Sequence, residues 1–417
     1  MTDDKPRRPP RPPNDKSPAV HLLLPTAFGL EAVVAREAES LGFESVRREN
    51  GRVIVETTDP LAIPRLNLTM RTAGRVQILV ARFECRDFGT LFDRTVLLPW
   101  EEGIEPRGAF PVSGRCVRSQ LHSEPDVQRT VKKAIATRLS GRKDGVCPED
   151  GPTYPIRIGI DRDEAVLTID TTGDGLHRRG YRTRPGAAAL RETMAASLLQ
   201  LSHWRPGRPL VDPFCGTGTI LIEAAWMQSG RAPGLRRTFV SEDWKRLPLS
   251  TRHPSLLWSA ARDEAQSQQR SDAADTPLVG CDIDPRQLAI ARDAAERAGV
   301  ADRIVFRERD VAALRPDGEY GCVVTNPPYG QRLHGSHMTD APADDAETLR
   351  AMYQALADRV ADLPTWGTFL LTAYPELEAV FGRSADRRRN LYNGPIACTY
   401  YQYFGPRPPR PPRPDAT

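Results

Sequence analysis

Apolar residues return along this chain with two different periods. Residues 20–24 (V-H-L-L-L) read as a strand, and Leu30, Val33, Val34, Ala38 and Leu41 then recur at helical spacing over 30–41, with Gly42 as the stop. Further strands are predicted at 52–56, 75–83 and 110–117, with a helix over 89–99. Val127, Val131, Ile135 and Leu139 stand four apart and predict a helix over 126–139 whose exterior is basic through Arg129, Lys132, Lys133 and Arg138. Strands at 156–160 and 165–170 close this α+β region.

From Pro185 the pattern changes to an alternation of strand and helix. A helix over 187–201 carries Leu190, Met194, Leu198 and Leu201 on one stripe. There follow a strand at 209–212, a glycine turn at 216–218, a helix over 219–228, a strand at 278–281 and a helix over 285–298. Strands at 303–306 and 321–325, a helix over 347–363, a strand at 369–372 and a terminal pair at 390–392 and 396–404 complete the pattern. Such alternation implies an α/β fold, a doubly wound sheet with an antiparallel end. The expected organisation is a tail at 1–18, an α+β unit at 19–70, a second front unit at 71–175, an α/β domain with a leading linker helix at 176–404, and a tail at 405–417. Both tails are proline- and arginine-rich and together hold 12 of the 38 prolines, so they cannot build a core.

The 417 residues, 39% hydrophobic and 27% charged, suffice for two or three soluble domains. The net charge of +4 is unevenly placed: residues 1–190 hold 30 Lys+Arg against 26 Asp+Glu, and residues 191–417 hold 28 of each. Residues 176–191 carry Arg178, Arg179, Arg182, Arg184 and Arg191 and no acid, which suits a phosphate backbone, with a solvated basic linker as the alternative. Seven scattered cysteines, never C-x-x-C, argue against disulfides and zinc and for a reducing, cytoplasmic setting. The histidines form no metal constellation, and no apolar run approaches the ~18–20 residues of a membrane span.

Three loops leaving strand ends should converge on one crevice. The first, Asp212-Pro213-Phe214-Cys215-Gly216-Thr217-Gly218-Thr219, lacks the third glycine of a dinucleotide fingerprint. Asp212 also places a carboxylate where a pyrophosphate would want none, which disfavours a nicotinamide enzyme. S-adenosylmethionine, with a sulfonium, an ammonium and no phosphate, fits better. In the second loop Asp284 precedes Pro285 and reads as a helix cap, leaving Asp282 for ribose hydroxyls and Ile283 to pack on adenine. In the third, Asp310 is placed to accept from the adenine amino group, although singly each aspartate also suits a cap or turn.

The strand at 321–325 ends in Asn326-Pro327-Pro328-Tyr329, and two prolines can continue neither a ladder nor a helix. This rigid loop offers a carboxamide oxygen (Asn326), a fixed carbonyl (Pro327) and a ring (Tyr329) to stack on a planar base. A base amino group is a poor nucleophile until acceptors hold both of its hydrogens, so no strong base is needed. A proline-rich turn with a capping Asn is the bland alternative.

Several motifs together resemble a known family. They are R-S-Q-L from Arg118, K-K-A-I from Lys132, H-R-R-G-Y-R from His177, R-E-T-M-A-A-S-L-L from Arg191, V-D-P-F-C-G-T-G-T-I-L-I-E-A-A from Val211, R-A-P-G-L from Arg231 and N-P-P-Y-G from Asn326. From about residue 20 to 404 the chain resembles RNA methyltransferases with a ferredoxin-like unit and a THUMP RNA-binding domain ahead of a Rossmann-like class I S-adenosylmethionine domain. Within these it is most similar to the family methylating the guanine 2-amino group of 23S ribosomal RNA. The resemblance implies that Asp212, Phe214, Gly216 and Gly218, with Thr217 between them, line the methionine end of the cofactor. It further implies that Asp282 and Asp310 hold the adenosine, and that Asn326, Pro327, Pro328 and Tyr329 hold the target base. Arg118, Arg129, Lys132, Lys133, Arg178, Arg179 and Arg182 are the expected RNA contacts. The ~60-residue gap before Asp282 contains R-A-P-G-L, which the family also inserts there. Gln331 stands where the family commonly has an acid, and 333–346 is longer than usual. Methylation of tRNA guanine, DNA adenine or a protein glutamine shares the same loop, and a non-catalytic RNA-binding protein would share the fold.

Overall fold

The computed structural model describes residues 19–141, 146–182, 190–270, 276–329 and 343–409. The tail at 1–18 and the chain beyond 409, Arg184, the first residues of the helix expected from 187, and Gln331 with most of the polar stretch after it lie outside the described residues.

The front half contributes β1 (Val20–Pro25), β2 (Ser45–Glu49), β3 (Arg52–Thr57), β4 (Gln77–Glu84), β5 (Val112–Val117), β6 (Ile156–Asp161) and β7 (Glu164–Asp170). They form one seven-stranded sheet in the order β2-β3-β1-β4-β7-β6-β5. β4 pairs with β1 on one side (Ile78 opposite Leu22) and with β7 on the other. The expected units at 19–70 and 71–175 therefore share a single sheet, which leaves no bare edge where they meet. β2 was not foreseen because S-V-R-R-E holds one apolar residue; as the outermost strand it is exposed on both faces and its charges guard an edge.

The front helices are α1 (Glu31–Ser40), α2 (Ala62–Thr69), α3 (Phe88–Val96), a single turn α4 (Trp100–Gly103) and α5 (Glu124–Ser140). α5 starts with Pro125 and two acids in its first turn and stops at Gly141 in the left-handed region (φ 65°), while Val127, Val131 and Ile135 are fully buried. The apolar stripe of α1 is divided: Val34 and Ala38 join the front core, whereas Leu30 and Val33 join the core of the second half.

The second half contains α6 (Glu192–Leu201), β8 (Leu210–Asp212), α7 (Thr219–Gln228), α8 (Pro254–Ser267), β9 (Leu278–Asp282), α9 (Pro285–Ala298) and β10 (Ile304–Glu308). These are followed by β11 (Cys322–Thr325), α10 (Ala343–Ala361), β12 (Gly367–Thr372), a short α11 (Leu377–Val380), β13 (Arg387–Asn393) and β14 (Ile396–Tyr403). The strand order is β10-β9-β8-β11-β12-β14-β13, parallel as far as β12 and antiparallel at β14 and β13. The order reverses between β8 and β11, so the crevice lies beyond Asp212 and Thr325, the last residues of those two strands.

The long segment between α7 and β9 fastens the two halves together. Phe239, Trp244, Leu257 and Trp258 are buried in the front core. The Trp244 ring stacks on Tyr154 at 4.6 Å and its Nε1–H donates to the Thr153 carbonyl, while Arg65 of α2 pairs with Glu264 of α8 at 3.0 Å. No helix among the described residues is long and apolar enough to cross a membrane.

Candidate active site at the sheet switch point

β8 ends in Asp212, a buried carboxylate whose Oδ1 accepts from the Thr325 hydroxyl (2.6 Å) and the Phe214 N–H (3.2 Å). One hydrogen bond thus joins the end of β8 to the end of β11, immediately before Asn326. Burial, with the charge of Asp282 adding to it, pushes the Asp212 carboxyl up to about 7; the two donors act the other way. A buried acid in this state suits a ligand bearing positive charge.

The glycine loop turns from β8 into α7. Gly216 (φ 49°) and Gly218 (φ 75°) are both left-handed, and a Cβ on Gly218 would meet the Phe306 ring at 3.0 Å. The loop is moored to the next strand, because Cys215 N–H donates to the Cys281 carbonyl (2.9 Å) and Gly216 N–H to Asp282 Oδ2 (2.9 Å). Thr217 and the partly buried Phe214 stand on either side of Gly216. The amino end of α7, directly after the loop, favours negative charge.

Asp284 caps α9 by accepting from Arg286 N–H (2.9 Å), with Pro285 at the first helical position, as its sequence predicts. Asp282, expected to be free, has both oxygens engaged: Oδ2 by Gly216 and Oδ1 by Asp284 N–H (2.9 Å). Each oxygen keeps a second lone pair, so Asp282 both shapes the loops and retains acceptor capacity. Ile283 between them is 69% exposed, an apolar side chain presented at the crevice rim. Asp310 also caps a short turn, its Oδ1 accepting from Ala312 N–H (2.7 Å), with the carboxylate exposed.

Asn326 and Pro327 are buried at the end of β11. The Pro328 carbonyl accepts from the Tyr353 hydroxyl (3.1 Å) of α10, which also bonds Thr372 Oγ1 (2.6 Å), so a tyrosine outside every motif singled out above fixes the loop. Tyr329 departs from its expected role. Its ring is wholly buried within the second-half core and its hydroxyl accepts from Asn393 Nδ2 (2.9 Å), so both faces are occupied by protein and it anchors the loop.

The expected RNA contacts divide sharply. Arg179 is not one: its side chain is 1% exposed, pairs with fully buried Glu223, and donates to the carbonyls of Leu176 (2.7 Å) and Arg71 (2.5 Å). Arg182 is likewise turned inward, bonding Thr219 Oγ1 and the Leu190 carbonyl (2.9 Å) behind the glycine loop. Lys132 is committed to Glu149 and lies over the Phe110 ring at 4.5 Å. Arg118, Arg129 and Arg178 are exposed but paired with Asp161, Asp126 and Asp174, which cancels much of the field they would offer a phosphate. Lys133 is exposed.

The chain matches three family models: the RlmL ferredoxin-like domain over 21–77, the THUMP domain over 85–170, and the RMKL-like methyltransferase domain over 179–402. It is 42% identical over 388 residues to the Bacillus subtilis protein named "Putative RNA methyltransferase YpsC", covering 92% of this chain and 96% of that one. A Listeria monocytogenes structure described as a predicted N6-adenine-specific DNA methylase superposes with a TM-score of 0.83 at 41% identity, covering 93% and 97% of the two chains. SMU.472, described as a putative methyltransferase complexed with SAH, superposes with a TM-score of 0.84 at 36% identity, covering 94% and 99%.

Proposed function

As this chain belongs to the family of RMKL-like methyltransferases with ferredoxin-like and THUMP domains, and is S-adenosylmethionine-dependent, we propose that it methylates the 2-amino group of a guanosine in structured RNA, with 23S ribosomal RNA the first candidate. The observation that carries the reading is the Thr325 to Asp212 hydrogen bond, which holds the N-P-P-Y loop against the carboxylate best suited to a cationic cofactor. S-adenosylmethionine supplies a methyl group activated as a sulfonium. Asp212 attracts the cationic end, the amino end of α7 the carboxylate, Asp282 the ribose hydroxyls, and Ile283 the adenine face. Asn326 Oδ1 and the Pro327 carbonyl accept the two hydrogens of the target amino group. Held so, the nitrogen lone pair would be localised for attack on the methyl carbon, the carbon–sulfur electrons leaving on the sulfur of S-adenosylhomocysteine and the surplus proton passing to water. The Tyr353 hydroxyl, bonded to the Pro328 carbonyl, steadies the loop that carries the Pro327 acceptor.

Mapping modified guanosines in total RNA from cells with and without the protein tests this directly. Loss of one N2-methylguanosine from 23S RNA is the expected result. Loss from tRNA would move the substrate, and loss of a methyladenosine alone would overturn the reading.

Cofactor binding should depend on pH through Asp212. Below about 7 its proton must leave before the carboxylate can hold a cation. Affinity for S-adenosylmethionine should therefore fall by up to about tenfold per pH unit below 7 and be flat above it. Because burial raises this carboxyl in the folded state, the ligand-free protein loses stability from it as pH climbs from the ordinary carboxylate range to about 7. Calorimetric titration across this range checks the binding, and Asp212→Asn should abolish the step.

Asp282→Ala should weaken the cofactor by tenfold or more, since a hydrogen bond to a charged acceptor is worth roughly 1.5–3 kcal/mol and the glycine loop is also released. Asp284→Ala should leave cofactor affinity nearly unchanged and act on α9 alone. Calorimetry that ranked the two variants the other way would reverse the assignment.

A further inference from the structure

On α5, Arg129, Lys132 and Arg138 are paired with acids and Lys133 is exposed. Two further arginines face a cleft of about 540 Å³ where all three parts of the chain meet. Phe28 reaches it from the loop after β1, Arg115 from β5, Arg191 from the start of α6, and Tyr392 from the β13–β14 hairpin. Among the described residues no acid lines this cleft, and neither Arg115 nor Arg191 has an ion-pair partner. His177 shows the same field: burial pushes its imidazole down to about 4, with Arg191, Arg178, Arg75 and Arg179 all acting in the same direction. A larger arginine-lined cavity of about 1220 Å³ shares His177 and Arg191 with the cleft.

Two aromatic side chains stand in the open here, Phe28 at 58% and Tyr392 at 45% exposure. Both are held in place. Glu31 binds the N–H groups of Gly29 and Gly51 at 2.9 Å each, fixing the Phe28 loop. Gly29 lies so close to β13 that a Cβ on it would stand 2.8 Å from the Asn390 carbonyl oxygen, so loop and hairpin form one surface. The hairpin also touches the candidate chemistry, since Asn393, next to Tyr392, donates to the Tyr329 hydroxyl. Exposed rings on a rigid frame, flanked by cations and with no acid among the described lining residues, match a single-stranded nucleic-acid platform.

We propose that this cleft seats the unpaired nucleotides flanking the target guanosine, with Phe28 and Tyr392 stacking on their bases and Arg115 and Arg191 holding the phosphates between them. This rests on the RNA reading given above and adds the single-stranded character of the substrate next to the target. Stacking needs an exposed base face, so a duplex that stays paired cannot use the two rings.

The test uses the full-length protein, a fluorescein-labelled single-stranded RNA of mixed sequence containing one guanosine, and the blunt duplex made from it. Phe28→Ala and Tyr392→Ala should each weaken binding of the single strand on the order of tenfold, with Phe28→Trp restoring it. Arg115→Gln should lower the slope of log affinity against log salt by about 0.7. For the two alanine variants, duplex binding, cofactor affinity and melting temperature should not move. Unchanged affinity of both alanine variants for the single strand, or equal losses on strand and duplex, overturns the proposal. A wild-type protein that methylates no RNA would sink the guanosine reading instead, and the binding result would distinguish the two failures.

Discussion

Asn326→Ala should lower the single-turnover rate of methyl transfer by on the order of 100 to 1,000-fold, the loss typical of one preorganised hydrogen bond to a developing charge. Asn326 is buried at the end of β11, one residue after the Thr325 hydroxyl that bonds Asp212, so its position is set by the sheet. Under the proposed mechanism its carboxamide oxygen accepts from the target amino group most strongly as that nitrogen becomes pyramidal. The cost should then fall on the rate, with little change in affinity for RNA or cofactor. Asn326→Asp keeps an acceptor and should retain more activity than Asn326→Ala. Single-turnover rates at saturating RNA and cofactor are the measurement, and a near wild-type rate for Asn326→Ala would remove this loop from the chemistry.

Arg179→Ala should cost roughly 3–5 kcal/mol of stability, the loss expected when one partner of a buried ion pair is deleted and the other charge stays inside. Glu223 is fully buried and Arg179 pairs with it at 3.3 Å while also holding the Leu176 and Arg71 carbonyls. Chemical denaturation measures the loss directly. Removing the charge at both positions, Arg179→Met with Glu223→Met, should recover much of it. A phosphate-binding Arg179 would give the opposite result, an unchanged midpoint with a shallower salt dependence of RNA binding.

The segment between α7 and β9 has no counterpart in a plain strand–helix–strand unit, and its contacts explain its length. Trp244 and Trp258 bury themselves in the front core, and Arg65 reaches Glu264 from the other side. The three parts are thereby held as one surface, which allows a cleft built from Phe28, Arg115 and Tyr392 to keep its shape.

The local sequence determined most of what depends on neighbours along the chain, β2 and α8 excepted. Periodicity located β8, α7, β9, α9 and β11, because a side chain's face follows directly from spacing of two or 3.6. Asp284-Pro285 announced its cap, and Asn326-Pro327-Pro328 announced a rigid loop at a strand end, because proline acts on its own backbone. Tertiary structure decided what lies around each side chain. Arg178 and Arg179 are adjacent and chemically identical, yet one is exposed and the other sealed against Glu223, forty-four residues onward. Tyr329 looked like a stacking ring and is an anchor, because the second-half core buries its ring and Asn393 of a distant hairpin donates to its hydroxyl. Phe28 and Tyr392 had no reason to be read together until the β1 loop met that hairpin. Burial and partnership are set by contacts between residues far apart in sequence, and no spacing rule along one strand or helix encodes them.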